Sequence, residues 1–148
     1  MTDIYIAPWS ESKYLMTSSF LFMIPSVYSY YCQLYLYSSV LLLVSLASGN
    51  YWRKATYGWR RNLDILCAKS SFVLFASSGV WYVRDIEYVI HGYVGLVGIL
   101  YCYYKSHSCY KNNTNMWLKY HMLFHVLLCC VQMLVVASVH KHYMILNQ

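Results

Sequence analysis

The sequence carries little charge and very few acidic side chains. Only 11% of its 148 residues are Asp, Glu, Lys or Arg, and five of these are acidic. Ordinary soluble domains carry about 25% charged residues. Long hydrophilic segments are also lacking, so no separate catalytic or binding domain lies between the apolar stretches. These shortages exclude a typical soluble enzyme and place any chemistry within a membrane domain or at its edge.

Paired cysteine motifs and repeats are absent as well, and we expect no cleavable leader. The six cysteines form no C-x-x-C pair, and most fall in apolar stretches, where cysteine behaves as a small hydrophobic residue. The first ten residues, MTDIYIAPWS, lack the basic segment that begins a secretory signal peptide. We therefore expect a single integral membrane domain over residues 1–148.

What the sequence does have is apolar residues, which make up 59% of it. They gather in five stretches, 14–30, 33–48, 62–83, 87–104 and 116–139, and about 20 apolar helical residues cross a bilayer. A single helix over the first two stretches would be about 55 Å long, which exceeds any bilayer, so we place a turn near residues 30–34. The sequence thus predicts an all-α polytopic transmembrane helix bundle with about five spans.

Basic residues are distributed unevenly between the two ends of such a bundle. With five spans, only Arg84 and Lys141 lie on one side, and eight basic residues lie on the other: Lys13, Arg53, Lys54, Arg60, Arg61, Lys105, Lys111 and Lys119. Because Lys and Arg accumulate on the cytoplasmic side, we predict a cytoplasmic N-terminus and a C-terminus on the opposite side. We also expect Trp52 and Trp59 to anchor the basic loop at the membrane boundary.

The same asymmetry bears on binding partners. The net charge of +6 is explained by topology, so it is weak evidence for nucleic acid, and we expect none as a partner. We expect the partners to be the lipid bilayer, with anionic headgroups at the basic face, and further copies or other chains in a homo-oligomer or a larger membrane assembly.

Four polar residues at a similar depth form the candidate site. His121 and His125 are four residues apart and share one helical face, and imidazoles in lipid normally face protein, water or a metal. Such a pair is half of a zinc site, for which Asp64 is the nearest third ligand, with Ser48 beside it. Alternatively, each histidine hydrogen-bonds a serine or a carbonyl, and Asp64 stabilises the start of its helix or pairs with a basic residue (Arg60, Arg61 or Lys69).

Two segments resemble a known superfamily. YHMLFHVLL resembles the last-helix H-x-x-x-H segment of the alkaline ceramidase and progestin/adipoQ receptor superfamily, and RRNLDILCAKSSF resembles its Asp-bearing helix. The resemblance implies a zinc site that hydrolyses lipid amides. In it His121 and His125 are ligands, Asp64 acts on the zinc-bound water, and Ser48 or Ser45 supports it. The superfamily's third histidine is missing here, because Trp52 stands four residues after Ser48.

A longer block, YWRKATYGWRRNLDILCAKSSFVLF, resembles segments of uncharacterised multipass membrane proteins of giant viruses. Two functions follow from the sequence. The first is a structural or accessory component of a viral or other membrane, which explains the short loops and sparse charge. The second is a compact metal-dependent intramembrane hydrolase of a lipid amide or ester, which explains why Asp64, His121 and His125 share one depth. The sequence favours the first.

Overall fold

The chain is helical throughout the part that the computed structural model describes, residues 6–146. The elements are α1 (Trp9–Ser19), α2 (Met23–Tyr31), α3 (Tyr35–Arg53), α4 (Trp59–Tyr82), α5 (Ile86–Lys111) and α6 (Met116–Leu146). A 3₁₀ turn, Phe20–Phe22, joins α1 to α2, so the chain forms five consecutive helical segments. The prediction of an all-α bundle is confirmed.

Short connections make successive segments antiparallel. The predicted break between the first two stretches is confirmed at residues 32–34, where Gln33 has φ of 60°. Before α4, Gly58 has φ of 151°, a conformation that residues with a side chain rarely adopt. The remaining connections have three and four residues, at 83–85 and 112–115.

The bend in the first helical segment has a chemical cause. Pro25 has no backbone N–H, and its ring crowds the carbonyl four residues earlier, which belongs to Leu21. The chain tightens into the 3₁₀ turn at this point. The Cys129 thiol of α6 donates a hydrogen bond to the released Leu21 carbonyl, with 3.5 Å between sulfur and oxygen. The Leu21 carbonyl that Pro25 leaves free therefore makes a contact between two helices.

The last helix lies at the centre of the packing. α6 packs against α1, α2, α4 and α5, whereas α3 packs against α1, α2 and α4. α5 makes extensive contact only with α6, and α4 and α5 make almost no contact with each other. The bundle therefore has a closely packed half, formed by α1, α2 and α3, and an open half, formed by α4 and α5, with α6 between them.

Glycines explain why α5 lies so close to α6. A Cβ atom on Gly95 would collide with the Val131 side chain of α6, and one on Gly98 would lie 3.2 Å from Leu127 Cδ1. Small residues of this kind let helices approach closely in membranes. Gly92, three residues earlier, has no such neighbour. Of these three glycines, only Gly95 and Gly98 therefore face α6.

Two apolar clusters mark the ends of the bundle. The basic-end cluster contains Leu15, Tyr51, Trp52, Ala55 and Trp117, and the far-end cluster contains Tyr37, Leu41, Phe75, Val135, Val136 and Val139. The Ile6 amide donates to the Ala55 carbonyl over 2.7 Å at the basic end. His142, near the end of α6, packs against Tyr82 at the other end. The described chain thus begins and finishes at opposite ends of the bundle.

Within residues 6–146, three helices are long and apolar enough to cross a membrane: Trp59–Tyr82, Ile86–Lys111 and Met116–Leu146. They match the predicted spans 62–83, 87–104 and 116–139. The predicted spans 14–30 and 33–48 correspond to the α1–α2 segment and to α3, which do not meet the same criteria. α1 has only 11 residues before the 3₁₀ turn. The predicted count of five spans is therefore not confirmed.

Candidate functional site

One face of α6 carries a row of polar side chains. His121, His125 and Gln132 are separated by four and seven residues, which places them within a narrow strip of a helix with 3.6 residues per turn. All three line a single cavity. His125 and Gln132 are each only 4% exposed. The helical period therefore brings three costly polar groups to one surface inside the bundle.

His125 is fixed by a serine of α1. Its Nδ1 lies 2.8 Å from the Ser18 hydroxyl oxygen, and the same hydroxyl donates its proton to the Leu15 carbonyl over 3.0 Å. The Ser18 hydroxyl therefore connects the His125 imidazole to the backbone of α1 and holds the ring in one orientation.

His121 has the same arrangement with a serine of α5. Its Nδ1 lies 3.4 Å from the Ser106 hydroxyl oxygen, which donates to the Trp117 carbonyl over 3.1 Å. The two imidazole rings are 5.0 Å apart, edge to face, and Trp52 packs edge-on against His121 at 5.3 Å. Two imidazoles therefore lie side by side among aromatic rings, and each hydrogen-bonds a serine, which is one of the predicted alternatives.

Asp64 and Ser48 line the same cavity as the two histidines. Asp64 is in the second turn of α4, and its carboxyl group faces the Ser48 hydroxyl of α3. Within residues 6–146, Asp64 makes no ion pair with Arg60, Arg61 or Lys69. Ser48 is also 2.9 Å from the Ser19 hydroxyl of α1. All four predicted site residues thus lie in the wall of one cavity, although their roles remain predictions.

The cavity is a long cleft of about 1000 Å³ between α4 and α5. α6 and the end of α3 form its floor. Its walls are mostly apolar and aromatic, and they include Phe72, Phe75, Tyr93, Leu96, Tyr103 and Phe124. Volumes of this size are typical of small-molecule sites. Because α4 and α5 scarcely touch, the cleft opens sideways between them.

Gln132 has an unusual position on the floor of this cleft. Its side-chain nitrogen donates to the Ser71 hydroxyl of α4 over 3.4 Å. Its carbonyl oxygen, Oε1, is the one buried side-chain nitrogen or oxygen without a hydrogen-bond partner in the described part of the chain. Leaving a buried polar atom unpaired costs about 1–3 kcal/mol. This oxygen is enclosed by the protein, so the cost falls on the packing of α6.

The predicted zinc site requires three protein ligands. Among the residues that the structure describes, no three His, Cys, Asp or Glu side chains are close enough to hold a metal ion together. The two histidine Nε2 atoms are suitable donors, but Asp64 does not complete a set with them. The residues therefore do not fit the predicted His₂-carboxylate site in this arrangement.

The basic residues lie at the same end of the bundle as the basic-end cluster. Arg60 packs over the Trp59 ring at 5.6 Å, and Arg61 packs over the Tyr57 ring at 5.4 Å. Trp59 is 66% exposed, as expected for a boundary anchor. Trp52 is only 6% exposed, so the prediction that it anchors the loop is wrong. It packs against Tyr51 and Trp117 instead.

Sequence reasoning missed three residues of this site: Ser18, Ser106 and Gln132. Ser18 lies beside a series of serines, Ser12, Ser19 and Ser26, which recur every seven residues and are all buried. Such a series indicates a packing face made of hydroxyl groups, and no comparable series marks Ser106 in α5. For Gln132 the helical strip that it shares with the two histidines was the available indication.

Searches against family models, curated proteins and solved structures find no match to this chain. The resemblance of its segments to the membrane hydrolase superfamily and to giant-virus proteins therefore stays a prediction.

Proposed function

We propose that this chain is a small multipass integral membrane protein that binds a lipid-like amphiphile in the cleft between α4 and α5, as a non-catalytic membrane component. The observation that carries the proposal is the apolar cleft of about 1000 Å³ between two helices that scarcely touch. A lipid chain enters such a cleft sideways from the bilayer.

The outer faces of α4 and α5 support membrane insertion. They present large apolar side chains to the surroundings, among them Leu66, Trp81, Ile90, Val94 and Val97. Soluble monomers rarely expose contiguous apolar patches beyond a few hundred Å². In a bilayer the same surface faces lipid tails at no such cost. The basic end, with Arg60 and Arg61, would then face anionic headgroups.

A lipid fits the cleft better than a helix of another chain does. The cleft carries polar groups, among them Asp64 and His121, which a lipid headgroup or a hydroxyl group can satisfy and an apolar helix face cannot. We therefore place any homo-oligomer contact on the outer faces instead.

Photolabelling in nanodiscs tests the proposal. A lipid with a photoreactive diazirine in its acyl chain should label residues inside the cleft, such as Phe72 and Leu96. Gly92 lines the cleft with open space at its Cβ position, so Gly92→Trp should fill the cleft and reduce that labelling severalfold.

The matched control is Val94→Trp, because Val94 lies on the outer face of the same helix and is 68% exposed. It should leave labelling inside the cleft unchanged. Labelling confined to outer faces, or labelling in the cleft that Gly92→Trp does not reduce, would overturn the proposal. So would exclusion of the lipid by a second copy, detected as cross-linked dimers of a Gly92→Cys variant.

The second candidate is the metal-dependent hydrolase. It is favoured by one observation, that Ser48, Asp64, His121 and His125 line the same cavity. Metal analysis of the detergent-purified protein, combined with assays on lipid amides and esters, tests it. One bound zinc per chain and hydrolysis that His121→Ala abolishes would support this second function. A metal-free protein without turnover would contradict it.

A further inference from the structure

The charged side chains that line the cleft all lie toward its basic end. Among residues 6–146 these are Arg61, Asp64 and Lys69, and all three belong to the first half of α4, which begins at that end. His107 lines the same end of the cleft from α5. At the far end, the described lining residues carry no charge and are mostly apolar. The cleft is therefore polar at one end and apolar at the other, as an amphiphile is.

Two of the three charged groups are cations without a counter-charge in the described part of the chain. Neither Arg61 nor Lys69 forms an ion pair there, and the Arg61 guanidinium packs over the Tyr57 ring. The one carboxyl group that lines the cleft, on Asp64, faces the Ser48 hydroxyl. The basic end of the cleft therefore carries an excess of positive charge that these residues leave uncompensated.

Lys69 is the more informative of the two cations because of its depth. It lies ten residues after Trp59, the first residue of α4, which is about 15 Å along the helix axis. In a helix that crosses a bilayer, a lone ammonium group at this depth is costly and normally faces a cavity and a partner of opposite charge. Side chains lean toward the N-terminus of their helix, so the long stem of Lys69 brings its charge closer to the level of Arg61.

We infer that the cleft binds a phospholipid with a net negative headgroup, whose phosphate lies at the basic end near Arg61 and Lys69 and whose acyl chains extend toward the far end. This inference rests on the proposed function, because it names the class and the orientation of the lipid that the same cleft takes. Arg and Lys make strong, charge-assisted hydrogen bonds to phosphate. A zwitterionic headgroup brings a cation of its own, so it compensates the excess positive charge less well.

Competition between lipids in uncharged detergent micelles tests the selectivity. Phosphatidylglycerol and phosphatidylcholine with the same acyl chains each compete with the diazirine lipid for labelling inside the cleft of the intact protein. Because hydrogen bonds to charged groups are stronger than neutral ones, phosphatidylglycerol should compete about tenfold better. Soluble glycerophosphate has the anionic group without the chains, and it should not compete.

Variants with matched controls assign the selectivity to the two cations. Arg61→Gln and Lys69→Met should each reduce the preference for phosphatidylglycerol severalfold. Arg60→Gln is the control for the first, because Arg60 is the neighbouring residue, packs over an aromatic ring and does not line the cleft. Lys105→Met is the control for the second, because Lys105 of α5 has the same properties. Both controls remove a charge from the basic end and should change the preference little.

The position of the photoreactive group tests the orientation. A phosphatidylglycerol with the diazirine beside the headgroup should label Tyr103 and Phe124, which lie toward the basic end of the cleft. One with the diazirine at the end of an acyl chain should label Ala76 and Val131, which lie nearer the far end. The reverse pattern would overturn the orientation.

The outcomes separate the inference from the proposed function. If the two phospholipids compete equally, the headgroup selectivity is wrong, whereas labelling in the cleft that Gly92→Trp reduces keeps the proposed function. Competition by glycerophosphate as strong as that by phosphatidylglycerol would also overturn the inference, because a free phosphate would then suffice. So would an equal loss of preference in Arg60→Gln and Arg61→Gln, which indicates general attraction to the basic surface. Labelling that Gly92→Trp does not affect would overturn both. If Lys69→Met does not fold, the comparison of the two phospholipids on the unmodified protein still decides.

Discussion

Helices pack in different ways in the two halves of the bundle. In the closely packed half, α1, α2 and α3 approach through serines: the Ser19 and Ser48 hydroxyls are 2.9 Å apart, and Ser26 donates to the Ser38 carbonyl over 2.8 Å. In the open half, α4 and α5 scarcely touch each other, and side chains such as Phe72, Tyr93 and Leu96 line the space between them. The comparison teaches that hydroxyl groups join the helices of the closely packed half, whereas in the described part of the chain no hydrogen bond joins α4 to α5.

The histidines lie where the two halves meet. His125 bonds Ser18 of the closely packed half, and His121 bonds Ser106 of the open half. Each half of the bundle therefore holds one histidine, and both imidazoles line the cleft.

The largest expected effect comes from disrupting the one extensive contact of α5, which is with α6. Gly95→Leu places a side chain where the Val131 side chain already lies, and it should lower the free energy of unfolding by about 3 kcal/mol, at the upper end for overpacking. Gly92→Leu, three residues away with open space at Cβ, should change it little. Unfolding in mixed micelles measures both. Equal stability of the two variants would contradict this packing.

A matched enlargement in the two halves should have unequal effects. Ala47→Leu enlarges a buried residue of α3, and Ala76→Leu enlarges an exposed residue of α4 that lines the cleft. We expect a loss of about 1–3 kcal/mol for the first and within about 0.5 kcal/mol for the second. The same denaturation series measures them. A costly Ala76→Leu would mean that α4 and α5 lie closer together than the structure shows.

Removing one hydroxyl contact between helices should have a smaller effect. Ser19→Ala deletes the bond to Ser48 and should cost about 0.6 kcal/mol, the average for such bonds in a membrane protein. Ser77→Ala is the control, since Ser77 is exposed and bonds only carbonyls of its own helix. If Ser77→Ala has as large an effect as Ser19→Ala, the claim that serines between helices stabilise their packing is contradicted.

The smallest effect is expected at the far end of the open half. Lys141 of α6 and Asp85 before α5 form an ion pair of 2.7 Å, but both side chains are at least half exposed. Exposed pairs contribute little and are screened by salt. Lys141→Met should leave the unfolding midpoint unchanged at high ionic strength. A clear loss of stability there would show that this pair ties the two helices together.

The fold was predictable where a long apolar stretch is continuous. The bounds of α4 and the start of α6 agree with the stretches 62–83 and 116–139, because length and apolar character define such helices. The turn at residues 32–34 followed from the excessive length of one helix. The first two stretches were harder to predict, because serines lower their apolar character and Pro25 divides the first of them near its middle.

Sequence reasoning named four residues that line one cavity, but their role as a functional site stays a prediction. Helical spacing placed His121 and His125 on one face, and depth placed Asp64 near them. What sequence reasoning could not supply is which partner each imidazole bonds, since Ser18 and Ser106 come from helices distant in the sequence. The unpaired oxygen of Gln132 is a property of packing, so only the structure reveals it.

The dependence of α5 on α6 sets an order of events during synthesis. Chains assemble from the N-terminus as they emerge, so α1, α2 and α3 can pack together while the ribosome is still making α4. α5 follows, but its one extensive neighbour, α6, has not yet been translated. Until then α5 must persist as a lone helix among lipids, and its many exposed apolar side chains suit it to that interval.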